Sequence, residues 1–151
     1  MKKILATILV VAVAGVGVQL SGPAAMAQEQ SSAEQTYKEI EAAIGTVPTH
    51  FKAYPKSAVA GAWAITKGLD FGEGNTVLEP KVKSLINLAV AAQIPCRYCI
   101  WLESKMAKDR GASDEEIAEA VALAGYVRHW SAVLNGLQID FENFKTEFGG
   151  E

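Results

Sequence analysis

Residues 80–92 constrain the fold more than any other stretch. They open on Glu79-Pro80, a helix-start signal: proline gives up an N–H that the first turn leaves unpaired anyway, and a carboxylate beside it meets the positive end of the helix. Val82, Leu85, Ile86, Leu88, Ala89, Val90 and Ala92 then fall on most faces of that helix. A helix apolar on most faces has to be surrounded, so it is expected to be the buried centre of the domain. No convincing run of alternating strand residues occurs elsewhere, so the surrounding elements are expected to be helices as well.

The flanking sequence supplies them. Residues 28–33 are polar and read as a flexible leader, and residues 36–44 carry Tyr37, Ile40 and Ile44 on a helix ended by Gly45. Val47-Pro48 and Tyr54-Pro55 punctuate a connector and set a second helix over about residues 55–69. Residues 70–76 read as a loop. After Ile94-Pro95 a helix is expected from about 96 to 110, stopping at Gly111. Ser113-Asp114-Glu115-Glu116 has the form of a capping box, in which the Ser113 hydroxyl and the Glu116 carboxylate satisfy each other's backbone N–H groups. The helix it opens carries Ile117, Ala120, Val121 and Ala124 on one face. A further helical stretch over 126–134 is broken by Asn135-Gly136, and residues 137–148 form a last amphipathic segment. The predicted fold class is all-α, a compact orthogonal helical bundle.

The amino terminus reads as a targeting signal. Lys2-Lys3 form a positive n-region, residues 4–20 are apolar apart from Thr7 and Gln19, and Pro23-Ala24-Ala25-Met26-Ala27 ends in an A-x-A cleavage pattern. A secretory signal peptide over 1–27, cut after Ala27, is expected, with a periplasmic or secreted destination. Residues 28–43 would then be the leader and first helix, and 44–151 a single domain. Removing Lys2 and Lys3 from 14 basic residues against 17 acidic ones takes the formal net charge from −3 to −5. A mildly acidic domain without a Lys/Arg cluster argues against nucleic acid as a partner.

Cys96-Arg97-Tyr98-Cys99 is the only cysteine pair and falls at a helix start. Thiols one helical turn apart close a disulfide with little backbone movement, and a helix N-terminus favours thiolate over thiol. The pattern therefore reads as a redox-active dithiol. Two other readings stay open. In an oxidising compartment a lone pair is often a structural staple, although so short a loop gains well under the roughly 3 kcal/mol of a 15-residue one. Alternatively, Cys96, Cys99, Glu103 and His129 together would make a mixed site suited to zinc or copper. A c-type haem is excluded here, because Ile100 rather than His follows Cys99.

Ile44-Gly45-Thr46-Val47-Pro48, Pro55 leading to Trp63, the run Leu78-Glu79-Pro80-Lys81-Val82-Lys83-Ser84-Leu85-Ile86-Asn87-Leu88-Ala89-Val90-Ala91, and then Cys96-Arg97-Tyr98-Cys99 resemble the carboxymuconolactone decarboxylase-like superfamily, and within it the alkyl hydroperoxide reductase D-type branch. The resemblance implies an all-helical, often trimeric or hexameric protein acting as a thiol-dependent peroxidase or disulfide reductase. By position it makes Cys99 the nucleophile and Cys96 the resolving cysteine. It also exposes departures. Ser84 stands where the family's relay has Glu, Glu103 where it has His, and Tyr98 where some members have a further His. The superfamily's lactone decarboxylation is a further alternative, though that branch does not depend on a CxxC.

Glu103 lies four residues after Cys99, so the two side chains share a helix face. An ionised carboxylate there raises the thiol pKa, whereas a partly buried one with a raised pKa of its own is a candidate general base. His129 is the remaining candidate, as a displaced relay partner folding back toward Glu103. His50 reads as a solvated or capping residue. Trp63, Trp101 and Trp130 read as core or interface packing, with Trp101 a candidate wall over the dithiol. Tyr98 and Tyr126 are weak hydroxyl donors to a bound peroxide or carbonyl, and Arg128 reads as an exposed arginine rather than a carboxylate clamp. The expected protein is thus an exported oxidoreductase that reduces a small-molecule peroxide or disulfide. It would need no cofactor, and would take electrons from a thiol reductant protein.

Overall fold

The computed structural model describes residues 22–72 and 76–150. The charged start and apolar run at residues 2–20, on which the signal-peptide expectation rests, lie outside them. Seven α-helices follow in order: α1 Pro23–Ile44, α2 Thr49–Ala53, α3 Val59–Leu69, α4 Pro80–Gln93, α5 Arg97–Asp109, α6 Asp114–Gly136 and α7 Phe141–Glu147. No strand occurs among the described residues. The protein is all-α, and it divides into two compact units, one ending at Trp63 and one starting at Ala64.

In the first unit α1 presents Ala33, Tyr37 and Ile40 along one stripe, the spacing of a helix face. Phe51 of α2 and Val59 and Trp63 of α3 close over it, with Val47 and Ala62 at the margin. The Phe51 and Trp63 rings meet edge to face at 5.7 Å, and the Tyr37 hydroxyl donates to the Phe51 carbonyl at 3.5 Å. Gly45 ends α1 at φ 82, and its N–H donates to the Glu41 carbonyl. A residue with a Cβ is strained in that left-handed conformation, which is why glycine stops the helix there.

Three stretches differ from the sequence expectation. Residues 28–33 are helical rather than a leader: α1 begins at Pro23 behind Gly22, and Ala33 is 1 % exposed, so this stretch is held by the core. The connector expected before the second helix carries a short helix of its own at residues 49–53. The helix expected over 55–69 starts later, at Val59, after a turn in which the Pro55 carbonyl accepts from Ala58 and Val59. Finally, the two helical stretches expected on either side of residue 125 are one helix, α6, which ends at the Asn135-Gly136 pair as expected; the Asn135 amide donates back to the Ser131 carbonyl at 2.7 Å.

In the second unit α4 packs against both α5 and α6. Its buried stripe is Ser84, Leu88 and Ala91, at the i, i+4, i+7 spacing of one face. The expectation that α4 is enclosed on most faces fails within the chain: Ile86 is 47 % and Val90 54 % exposed. Ala107 of α5 and Ala124 of α6 are the buried counterparts, so small side chains let the three helices approach closely. The capping box is formed as read, with Ser113 and Glu116 each accepting the other's backbone N–H. Lys81 pairs with Glu116 at 2.8 Å and ties the start of α4 to that cap. A groove of about 350 Å³ remains between α4 and α6, lined by Val82, Ile86, Ala89 and Leu123 among others.

Candidate active site

The link from α4 to α5 is only three residues, and it folds back on α4. The Cys96 N–H donates to the Ala91 carbonyl at 3.1 Å. Cys96 is itself the N-cap of α5, in extended conformation, and its sulfur accepts the Cys99 N–H at 3.3 Å. It takes the place that a serine or aspartate oxygen usually fills at a helix start. Cys96 and Cys99 are joined by a disulfide across Cα atoms 5.3 Å apart, and both are half-buried. Once the bond is reduced, the α5 N-terminus stabilises negative charge on the Cys96 sulfur, because a backbone N–H already points at it.

One turn beyond Cys99, Glu103 turns inward. Its Oε2 is sealed from solvent and has no hydrogen-bond partner. Burial pushes its carboxyl above the ordinary glutamate range. A hydrogen bond from Asn87 opposes that, the Asp70 carboxylate adds to it, and the Arg110 guanidinium opposes it again. Burial wins because a carboxylate oxygen without a donor loses its hydration and gets little in return.

Arg110, the C-cap of α5, anchors the floor of the cluster. Its Nη1 donates to the Ser84 hydroxyl at 2.8 Å and to the Pro80 carbonyl at 3.3 Å. Its Nη2 lies 2.8 Å from Asp70 Oδ1 and donates to the Asp70 carbonyl at 3.2 Å. Ser84 is fully buried. At the two positions where the resemblance predicts a Glu–His relay, the protein therefore has a serine held by an arginine and a half-buried glutamate.

The expected site residues separate into two groups. Cys96, Cys99 and Glu103 share the first two turns of α5. His129 lies on α6, exposed, with its ring edge-on to Trp130 at 5.3 Å, and it is not among the groups acting on the Glu103 carboxyl. Among the described residues no three His, Cys, Asp or Glu side chains converge as a metal-binding set, so the four-residue zinc or copper grouping does not form. His50 is exposed against Phe51 at 4.5 Å, in keeping with a solvated residue. Trp63 is core, but Trp101 is 67 % exposed. Tyr98 is exposed and held by Arg97, whose Nη2 donates to its hydroxyl at 3.0 Å. Arg128 donates to the Gln93 carbonyl at 3.3 Å, at the end of α4.

Sequence reasoning missed Asp70, Asn87 and Arg110. A usable signal was present: Ser84 and Asn87 are polar residues within an apolar helix, and Glu103 and Arg110 recur seven residues apart on one face of α5. What could not be read is that these faces meet each other and Asp70.

A family model described as Carboxymuconolactone decarboxylase family matches residues 58–140. The crystal structure of the alkylhydroperoxidase AhpD core from Rhodospirillum rubrum superposes with a TM-score of 0.64 at 22 % sequence identity, covering 86 % of this chain and 98 % of that one. That likeness establishes the all-helical fold. No curated protein matches the chain.

Proposed function

Because the chain belongs to the carboxymuconolactone decarboxylase family, and because its dithiol caps a helix beside a buried carboxyl, we propose that it is a thiol-dependent oxidoreductase reducing peroxides or disulfides. The observation that carries this reading is the Cys96–Cys99 disulfide at the α5 N-terminus with Glu103 one turn behind it. In the reduced protein Glu103 takes the Cys99 proton. The Cys99 thiolate attacks the peroxide O–O bond and becomes a sulfenic acid, and the departing alkoxide is protonated to an alcohol. The Cys96 thiol then condenses with the sulfenic acid, releasing water and forming the disulfide.

A donor dithiol closes the cycle. Its thiolate attacks the Cys99 sulfur, and Cys96 leaves as the thiolate that the Cys99 N–H and the helix N-terminus stabilise. The donor's second thiol resolves the mixed disulfide, so the donor is oxidised and both cysteines are reduced. The two sulfurs thus have different helpers: the helix start serves Cys96 as leaving group, and Glu103 serves Cys99 as nucleophile.

Export and self-association complete the proposal. The first rests on the signal-peptide pattern before Gln28. The second is supported by the apolar side chains left open on α4, α5 and α6, among them Val90, Trp101, Leu123 and Val127. The deciding experiment is peroxide consumption by purified protein with a series of dithiol donors. Cys99→Ser is expected to abolish turnover. Wild-type protein that turns over neither peroxides nor disulfides with any donor would falsify the reading in favour of a structural disulfide.

A further inference from the structure

We propose that the exposed first turn of α5, centred on Arg97 and Tyr98, is the surface on which the protein that reduces the Cys96–Cys99 disulfide docks, and that this donor carries its dithiol within an acidic rim. The inference rests on the thiol-dependent reading above and names the kind of partner that reading requires.

Position comes first. A donor sulfur has to touch a sulfur of the disulfide, so the donor's surface meets the residues between and beside the cysteines. Both cysteines are half-buried, whereas Arg97 and Tyr98, between them in sequence, are exposed, Tyr98 by 73 %. Ile94 on the preceding link is exposed as well. So is Leu102, which shares a helix face with Tyr98 four residues earlier. Arg97 is already held in place: its Nη2 donates to the Tyr98 hydroxyl at 3.0 Å, and its guanidinium carbon lies 4.9 Å from the Tyr98 ring centroid. An arginine fixed against an aromatic ring loses less rotamer freedom on binding a carboxylate than a mobile one does. Tyr and Arg are also side chains on which protein interfaces concentrate their binding energy.

Charge then selects the partner. The protein has a formal net charge of −3, yet the disulfide end of its second unit is basic. No Asp or Glu occurs at residues 80–102 or 120–139, which supply α4, the first turns of α5 and most of α6. Two hydrogen bonds at Gln93, three residues before Cys96, fix α6 to this end. The Gln93 amide donates to the Ala124 carbonyl, and Arg128 Nη2 donates to the Gln93 carbonyl at 3.3 Å. Arg128 therefore sits at one end of the three-residue link and Arg97 at the other. Both are exposed, and among the described residues neither guanidinium pairs with a carboxylate. The other cations of α4 and α5 are engaged: Lys81 with Glu116, Lys83 with the Leu69 carbonyl, Lys105 with Asp109, and Lys108 with Asp114. An aromatic centre edged by two unneutralised arginines attracts an acidic surface and repels a basic one.

Once docked, the donor thiolate bonds to the Cys99 sulfur and the Cys96–Cys99 bond breaks, with Cys96 leaving as thiolate. The donor's second thiol then displaces Cys99, so two electrons and two protons pass from donor to protein.

The test uses full-length oxidised protein and three synthetic CxxC dithiol peptides that differ only in flanking glutamates, serines or lysines. The readout is the rate at which Cys96 and Cys99 become open to alkylation by iodoacetamide, resolved by mass spectrometry. Each rate is divided by that with dithiothreitol, so that changes in the intrinsic reactivity of the disulfide cancel. At low salt the glutamate peptide is expected to be at least about tenfold faster than the lysine peptide, with the gap closing as salt is raised. Arg97→Gln combined with Arg128→Gln should remove the gap, and Arg97→Lys combined with Arg128→Lys should restore most of it. Tyr98→Ala should slow all three peptides relative to dithiothreitol and leave their order unchanged. Equal rates for the three peptides on wild-type protein, or a gap that survives the double Gln variant, overturn the proposal and leave the thiol-dependent reading standing. A gap lost only in variants whose oligomeric mass also changes overturns it too, and makes this turn of α5 a contact between copies. A disulfide that neither dithiothreitol nor any peptide reduces ends both.

Discussion

The two units of the protein bury different kinds of side chain. Up to Trp63 the core is built from large apolar groups: Ile40, Phe51, Val59 and Trp63 are all within a few per cent of full burial. From Ala64 onward the buried positions are Ser84, Leu88, Ala91, Ala107 and Ala124, while Ile86, Trp101, Leu123 and Val127 stand open. The first pattern is that of a core that holds its element positions by volume. The second is that of helices brought close by small residues around a polar cluster, with large apolar groups turned outward. The candidate site lies in the second unit, where the Glu103 carboxyl is half-buried one helical turn beyond the Cys96–Cys99 disulfide.

Three stability measurements sharpen that contrast, the largest first. Trp63→Ala removes a ring that is 2 % exposed, and should cost about 3–5 kcal/mol in denaturant unfolding. Trp101→Ala removes one that is 67 % exposed, and should cost within about 0.5 kcal/mol; a cost like that of Trp63 would erase the distinction between the two units. Ser113→Ala deletes the α6 cap hydroxyl that accepts the Glu116 N–H at 3.1 Å, with an expected loss of about 1 kcal/mol.

The smallest effect concerns Glu103 and is a matter of pH. Its carboxyl is raised in the folded protein, chiefly by burial, so its contribution is fully present below the unfolded value and is lost as pH rises through the folded one. The Tm of Glu103→Gln relative to wild type should therefore be higher near pH 8 than near pH 4. A difference independent of pH would show that Glu103 is not held in a desolvating site.

How much of this was legible in the sequence depends on the range of the interactions involved. Pro80 at a helix start, Gly45 and Gly111 at helix ends, the Ser113–Glu116 box and the placement of Cys96 at the head of α5 are encoded within a turn or so of chain, and all appear as read. Leader versus helix at residues 28–33 was not legible, because Ala33 is held by a core that includes Phe51, Val59 and Trp63. Nor was the continuity of α6 across residue 125, where two expected helical stretches form one helix.

The candidate site divides along the same line. Cys96, Cys99 and Glu103 lie on one short helical stretch, so 3.6-residue periodicity places them on neighbouring faces before any tertiary contact forms. Family membership could likewise be suspected from the order of motifs, since each motif is local. Asp70, Ser84, Asn87, Glu103 and Arg110 come from a connector and two helices, and nothing in their spacing says that they meet. Their convergence follows from the close approach of α4 and α5. That packing removes water from the Glu103 oxygen and sets a guanidinium against Ser84 and Asp70. The sequence by itself determined where the cysteine pair sits, at the head of α5. Only the tertiary structure decided which charges surround the Glu103 carboxyl, because desolvation and cross-helix pairing exist only once the helices are packed.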